Sequence, residues 1–277
     1  MSVRRPVVSG QFYPSSASQL RRDIEKYFSQ NRDTLIEIDD KSRIYGGIVP
    51  HAGYDYSGLV ASYTYKALST RAKPDTVVLV GPNHWGIGSP LGVFPRGSWV
   101  TPLGIVKVDE ESANRIKDLS KLIDLDFLSH SRDHSIECQL PFLQYIYSEG
   151  FKILPILISI QDQETACELG TVLADLATKL NIVLLASSDF THYESQKEAV
   201  KKDSELIKAI NSLDVDKYYS ILEKLNVTAC GYGAIAAIMV SVKKLGAKEG
   251  RLLNYATSGD VTNDKESVVG YSSIVFL

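Results

Sequence analysis

The run Val77-Val-Leu-Val-Gly-Pro-Asn-His84 opens with four aliphatic residues and no polar residue alternating among them. An uninterrupted run of this kind suits a short strand covered on both faces, as in a parallel sheet flanked by helices. Gly81-Pro82 then stops the strand, and the polar pair Asn83-His84 follows at once. Working outward, residues 44–50, 153–158 and 181–186 have the same character and read as further buried strands, with 76–80 as the second of the set. Segments with mostly helical apolar spacing stand between or after them, at 17–29, 57–68, 135–147, 163–180, 196–213, 215–225 and 233–245. Pro141 falls early in its segment and marks a late start or a kink. Strands alternating with helices predict an α/β fold. Residues 251–256 and 268–276 read as two later strands, the second with the alternation of an antiparallel partner. Residues 88–108, rich in Gly and Pro, read as an inserted hairpin with arms at 92–100 and 104–108. No linker-like tract divides the chain. The expectation is one domain over residues 1–277, with a mostly parallel central sheet covered by helices.

Composition narrows the function classes. The 277 residues are 44% hydrophobic and 23% charged, which excludes a disordered, collagen-like or coiled-coil chain. A net charge of −3 supplies no global basic field, so nucleic acid and anionic membranes are not expected partners. The three cysteines, 138, 167 and 230, form neither a disulfide framework nor a CxxC pair, and point to a reducing compartment. No apolar run approaches the ~20 residues of a membrane helix, and the N-terminus has no signal-type apolar stretch. A cytoplasmic protein is expected, of unstated oligomeric order.

In open α/β sheets ligands bind beyond the carboxyl ends of the strands. Three of the five histidines leave such ends. Gly46-Gly-Ile-Val-Pro-His51 follows one strand, His84 follows the next, and Val183-Leu-Leu-Ala-Ser-Ser-Asp-Phe-Thr-His192 carries Asp189 and His192 past a third. A single post-strand histidine reads best as a hydrogen-bonded structural residue, but three in equivalent places point to one shared crevice. Cys230, in Thr228-Ala-Cys-Gly-Tyr-Gly-Ala234, stands before a helical segment whose positive end would favour thiolate; the bland alternative is space-filling. Cys138 and Cys167 read as packing residues. In His130-Ser-Arg-Asp-His-Ser-Ile-Glu137, His134 or Glu137 enters the crevice as a proton carrier, or Glu137 caps a helix; His130 is expected to be exposed. Ser258 and Asp260 line the crevice or form a turn. Gly10-Gln-Phe-Tyr-Pro14 is adequately explained by packing.

Six motifs in order across nearly the whole chain are similar to those of the Memo family. They are residues 5–14, Pro50-His-Ala-Gly-Tyr-Asp-Tyr-Ser-Gly58, Gly81-Pro-Asn-His84, Asp133-His-Ser-Ile-Glu-Cys-Gln-Leu-Pro-Phe142, Ser187-Ser-Asp-Phe-Thr-His-Tyr193 and Thr228-Ala-Cys-Gly-Tyr-Gly233. The resemblance implies a fold like that of class III extradiol ring-cleaving dioxygenases, and a mononuclear metal site at His51, His84 and Cys230 with Asp189 and His192 beside it. Iron or copper is the implied metal, with zinc compatible with the same N and S donors. Cys230 stands where the dioxygenases place a carboxylate, so ring cleavage does not transfer with the fold.

Three functions compete. The first is metal-dependent redox or oxygen chemistry of unknown substrate, with His192, Asp189 and His134 orienting ligands or moving protons. The second is a metal-free Cys–His hydrolase, with Cys230 as nucleophile and Asp189 orienting its base. The third is a non-catalytic pocket for a peptide or small ligand, walled by Tyr54, Tyr56, Trp85 and Trp99. Tyr56, Trp85, Glu137 and Ser258 complete the expected pocket.

Overall fold

The computed structural model describes residues 2–31, 38–39 and 42–277. Strand β1 (Val3–Arg4), helix α1 (Ala17–Gln30), strand β2 (Gly46–Val49) and helix α2 (Tyr54–Ser69) open the chain. Strands β3 (Thr76–Pro82), β4 (Leu91–Val93), β5 (Ser98–Thr101) and β6 (Gly104–Val108) precede helix α3 (Glu110–Leu119) and the short β7 (Asp124–Leu125). A 3₁₀ turn over Glu137–Gln139 leads into α4 (Leu140–Tyr147), followed by β8 (Lys152–Ile158), α5 (Gln163–Ala177), β9 (Ile182–Ser187) and β10 (His192–Glu194). Helices α6 (Gln196–Asn211), α7 (Val215–Leu225) and α8 (Tyr232–Leu245), strand β11 (Gly250–Thr257), the one-turn α9 (Gly259–Thr262) and β12 (Val268–Phe276) complete it.

The central sheet runs β1-β5-β6-β8-β3-β9-β2-β12-β10. Its middle is parallel: β6 with β8, β8 with β3, β3 with β9 and β9 with β2. β12 joins β2 antiparallel and carries β11 on its other side. Alternation along β3 explains the unbroken apolar run. Val78 and Val80 enter one core, with α5 and α8 residues such as Leu173 and Ile238, while Val77 and Leu79 enter a second, with Tyr65 of α2 and Phe142 of α4. Both faces are dry, so neither can be polar. The result is the single α/β domain with a mostly parallel sheet that the hydrophobic pattern predicts. No helix of the described residues is long and apolar enough to cross a membrane.

Differences from expectation have local causes. The arm expected at 92–100 is two strands, because Pro95 and a left-handed Gly97 (φ 101°) break it. β4 turns to pair with β8, and only β5 forms the hairpin with β6. Helix α3 lies outside the predicted set; its apolar face is narrow, with Ala113 and Ile116 buried. Asp109 fixes its start by accepting from the backbone N–H of Ser112 at 3.3 Å. Pro141 marks a late start: it lies in the first positions of α4, where a missing N–H is harmless.

Two close approaches set the site's frame. A Cβ on Gly170 of α5 would fall 2.6 Å from the carbonyl oxygen of Ala237, so glycine lets α5 and α8 pack tightly. A Cβ on Gly231 would fall 2.6 Å from the carbonyl oxygen of Ser187, so glycine lets the start of α8 meet the end of β9. That second contact carries Cys230 to the sheet's carboxyl edge.

Candidate functional site

β3, β9 and β2 are adjacent and parallel, so the residues leaving their carboxyl ends share one edge of the sheet. His84, Asp189 and His51 therefore converge, and the turn before α8 adds Cys230. Together with His134, His192, Tyr56 and Thr228 they line a crevice of about 620 Å³. One donor atom from each of His51, His84 and Cys230 lies within 4.8 Å of the other two.

Each of three histidines has its Nδ1 side committed elsewhere. Ser187 Oγ donates to the Ser135 carbonyl at 2.7 Å and accepts from Gln139 Nε2 at 2.8 Å. Its remaining lone pair takes the Nδ1–H of His51 at 2.9 Å. Gln139 Nε2 also donates to the Pro50 carbonyl at 2.9 Å, an acceptor with no proton of its own, which fixes that amide's orientation and hence the whole chain of bonds; Tyr65 then donates to Oε1 at 2.7 Å. His84 donates from both its backbone N and its Nδ1 to Asp133 Oδ2, at 2.8 and 2.9 Å. His192 donates Nδ1–H to the carbonyl of Thr228 at 2.9 Å, an acceptor with no proton of its own. All three keep Nε2 as a lone pair. A donor bond on one ring nitrogen that frees the other is the arrangement that supports metal-ligating histidines.

Cys230 Sγ lies 3.3 Å from His51 Nε2 and accepts from the backbone N–H of Asp189 at 3.3 Å. Asp189 Oδ1 in turn accepts from the backbone N–H of His51 at 2.8 Å, and its Oδ2 is 4.0 Å from His51 Nε2. Burial, then the neighbouring His84 and His134, hold His51 well below the usual imidazole range. Burial, then His84, lowers His134 to about 4. Burial raises the Asp189 carboxyl, and burial with the adjacent Asp189 pushes the Cys230 thiol well up. Asp133 behaves oppositely: burial alone would raise it, but His84 and Ser135 hold it well below the usual carboxylate range.

The structure thus brings His51, His84, His134, Asp189, His192, Cys230 and Tyr56 together. Trp85 borders an adjoining groove, and Ser258 a neighbouring depression with Tyr56 and Tyr193. The Ser258 carbonyl also accepts from the backbone N–H groups of Val261 and Thr262 at 3.1 and 3.0 Å, the turn role weighed for it, while its hydroxyl accepts from the backbone N–H of Val269 at 3.0 Å. Glu137 does not line the crevice. It is fully buried, accepts from Arg4 Nη1 at 2.7 Å, and takes the backbone N–H groups of Val7 and Val8 and the hydroxyl of Tyr13. Rather than capping its own helix, it ties down the N-terminal segment. His130, expected at the surface, has no exposed area; Nε2 meets the Gly92 carbonyl at 3.0 Å and the ring packs on Phe94 and Trp99. Tyr54 and Trp99 are core residues rather than walls, whereas Cys138 packs as expected.

Reading by residue type missed the crevice residues Gln11, Phe12 and Thr228. Phe12 sets its ring 4.6 Å from that of His134. Its signal was an aromatic beside the Gly10 turn, a feature packing also produces. The supporting Asp133, Ser187 and Gln139 are of types that carry no distinguishing local pattern.

Fold and site define an α/β protein with a histidine- and cysteine-lined crevice at the carboxyl edge of its parallel strands. The profile of the family described as Memo-like protein matches residues 4–275. A MEMO1 family protein of Nitrosopumilus maritimus is 48% identical over 99% of this chain and 100% of its own. Others from Methanopyrus kandleri and Saccharolobus solfataricus are 46% and 44% identical, over 99% of this chain and 98% and 99% of their own. The chain belongs to the Memo family. An uncharacterised Escherichia coli K12 protein shares the fold, with a TM-score of 0.59 at 15% identity over 84% of this chain and 100% of its own.

Proposed function

We propose that the crevice is a mononuclear metal centre for iron or copper, ligated by Nε2 of His51, Nε2 of His84 and Sγ of Cys230, and serving redox or oxygen-dependent chemistry. The observation that carries this is the tautomer pattern: hydrogen bonds from Nδ1 leave Nε2 of His51 and of His84 as the nitrogens turned to the crevice, in the cluster that includes the Cys230 sulfur. These donors fit a borderline-soft transition metal, and zinc is accommodated by the same set. When bound, the metal supplies a Lewis-acidic, redox-active centre with open positions for a substrate.

The chain's own residues complete the reading. Asp189 holds the His51 loop through backbone N–H groups. His134, stacked on His84 with centroids 4.7 Å apart, and His192 face the same space as proton carriers. Electrostatics favour this reading over a metal-free Cys–His hydrolase. Burial keeps His51 neutral and Cys230 a thiol, so no imidazolium–thiolate pair forms unaided. A cation at the sulfur is what would stabilise its thiolate.

Metal content by mass spectrometry tests it, on tag-free protein purified anaerobically beside His51→Ala and Cys230→Ala variants. Near-stoichiometric iron or copper, lost from both variants, is expected. Absence of metal after purification and after supply of Fe(II), Cu(I) or Zn(II) refutes the reading.

A further inference from the structure

The crevice does not end at His84. A groove of about 680 Å³ continues from it, sharing His84, His134 and Phe12, and is bordered by Val7, Trp85 and Arg132. Exposed aromatics are concentrated around the crevice and this groove taken together, with Trp85 on the groove and Tyr56 and Tyr193 on the crevice. Among the described residues four aromatic side chains count as exposed, Tyr56, Trp85, Phe127 and Tyr193, and three of them border the crevice or a depression continuous with it. Exposed rings are normally scattered, so their concentration marks a binding surface.

Trp85 is 55% exposed yet held in place. Its indole Nε1–H donates to the Arg132 carbonyl at 3.1 Å, and the Arg132 guanidinium lies 5.6 Å from its ring centroid. The two residues come from different loops, so the bond fixes a tryptophan wall and a cation in one arrangement before any ligand arrives. Arg132 makes no ion pair among the described residues. The nearest acid in sequence, Asp133, spends its oxygens on His84 and Ser135, and Glu137 is taken by Arg4. Val7, Val8, Phe12 and Trp85 give the groove its apolar walls, Gln11 and the two histidines add polar lining, and Arg132 makes one rim positive.

We propose that this groove is the tail subsite for a small amphiphilic anion. Its apolar body would lie between Phe12 and Trp85, its anionic group against Arg132, and its other end beside Nε2 of His84. The assignment rests on the crevice reading only in taking His84 as the reactive end. An elongated aliphatic monocarboxylate has the required chemistry, because a guanidinium pairs with carboxylate and the indole face covers methylenes.

The test uses the full chain stripped with chelator, titrated with sodium hexanoate and, separately, with hexanol, while tryptophan fluorescence is followed. Hexanoate is expected to saturate the signal, hexanol to bind much more weakly, and Trp85→Phe to abolish the change. Arg132→Gln, an exposed substitution, is expected to raise Kd for hexanoate roughly five- to tenfold. Failure of hexanoate to saturate by about 10 mM, equal binding of acid and alcohol, or an unchanged Kd in Arg132→Gln overturns the proposal. Metal content of Arg132→Gln is expected to match the parent, so a failed titration leaves the metal assay standing, and a failed metal assay leaves the titration standing.

Discussion

Asp133 Oδ2 receives both the backbone N–H and the Nδ1–H of His84, at 2.8 and 2.9 Å, and its other oxygen is held by Ser135. The carboxylate thereby dictates which nitrogen of His84 faces the crevice. Asp133→Asn replaces a two-acceptor oxygen with an amide that competes as donor. Metal affinity is expected to fall roughly 10- to 100-fold, as for other carboxylates supporting ligating histidines. Competition titration against a calibrated chelator measures it, and an unchanged affinity in a folded variant removes Asp133 from this role.

Arg4 and Glu137 form a buried pair 2.7 Å apart, with side chains 5% and 0% exposed. Arg4 also donates to the carbonyls of His130 and Asp133. Removing either partner strands a charge. Arg4→Met and Glu137→Leu are each expected to destabilise by about 3–5 kcal/mol, and the double variant by less than their sum. Urea unfolding provides the comparison. Simple additivity would mean that the two charges do not stabilise each other.

Buried histidines make stability pH-dependent. His130 has its folded pKa lowered from 6.5 to about 3 by burial, partly offset by the Gly92 carbonyl. The unfolded chain therefore takes up the proton first. Its contribution is fully present above 6.5 and is lost as pH falls towards 3, with a slope of about 1.4 kcal/mol per pH unit. His51 and His134 act in the same direction, and the raised Asp189 carboxyl in the opposite one. Comparing parent with His130→Phe isolates one residue. The variant is expected to be less stable near neutrality but flatter in acid. Parallel curves would show that His130 does not titrate between the two states.

Cys230 should be a sluggish nucleophile without metal, because burial and Asp189 raise its thiol. In chelator-treated protein, iodoacetamide labelling at Cys230, followed by peptide mass spectrometry, is expected to rise about tenfold per pH unit from about pH 7 to 9, without levelling. A plateau below about pH 8 would reveal a low-pKa thiolate and revive the hydrolase reading. Added metal is expected to slow labelling further by occupying the sulfur.

Gly231→Ala tests the frame. Its Cβ would meet the Ser187 carbonyl oxygen at 2.6 Å and Ser188 Cβ at 2.8 Å, atoms at the end of β9 that cannot swing aside. A loss of roughly 1–3 kcal/mol is expected, with weakened metal retention because Cys230 is displaced. An unchanged melting temperature together with full metal content would show that α8 can draw back.

The α/β fold was legible because its signals are local. Aliphatic runs such as Val77–Val80 require cover on both faces, and the polar residues that end them mark where a parallel sheet opens. Helices with broad apolar faces were equally plain, whereas α3, with its narrow face, was not. The sequence by itself therefore determined the layer architecture and the placing of His51, His84 and Asp189 at strand ends. Tertiary structure alone decided which groups meet. His51 and Cys230 are 179 positions apart, and Arg4 and Glu137 133, separations at which no local pattern reports contact. Glu137 and His130 look like surface or crevice residues in the chain and are buried in the molecule, Glu137 because the N-terminal segment folds over it and His130 because Phe94 and Trp99 pack on its ring. The tautomers of His51 and His84 depend on Ser187, Gln139 and Asp133, whose partners are known only once the strands lie side by side.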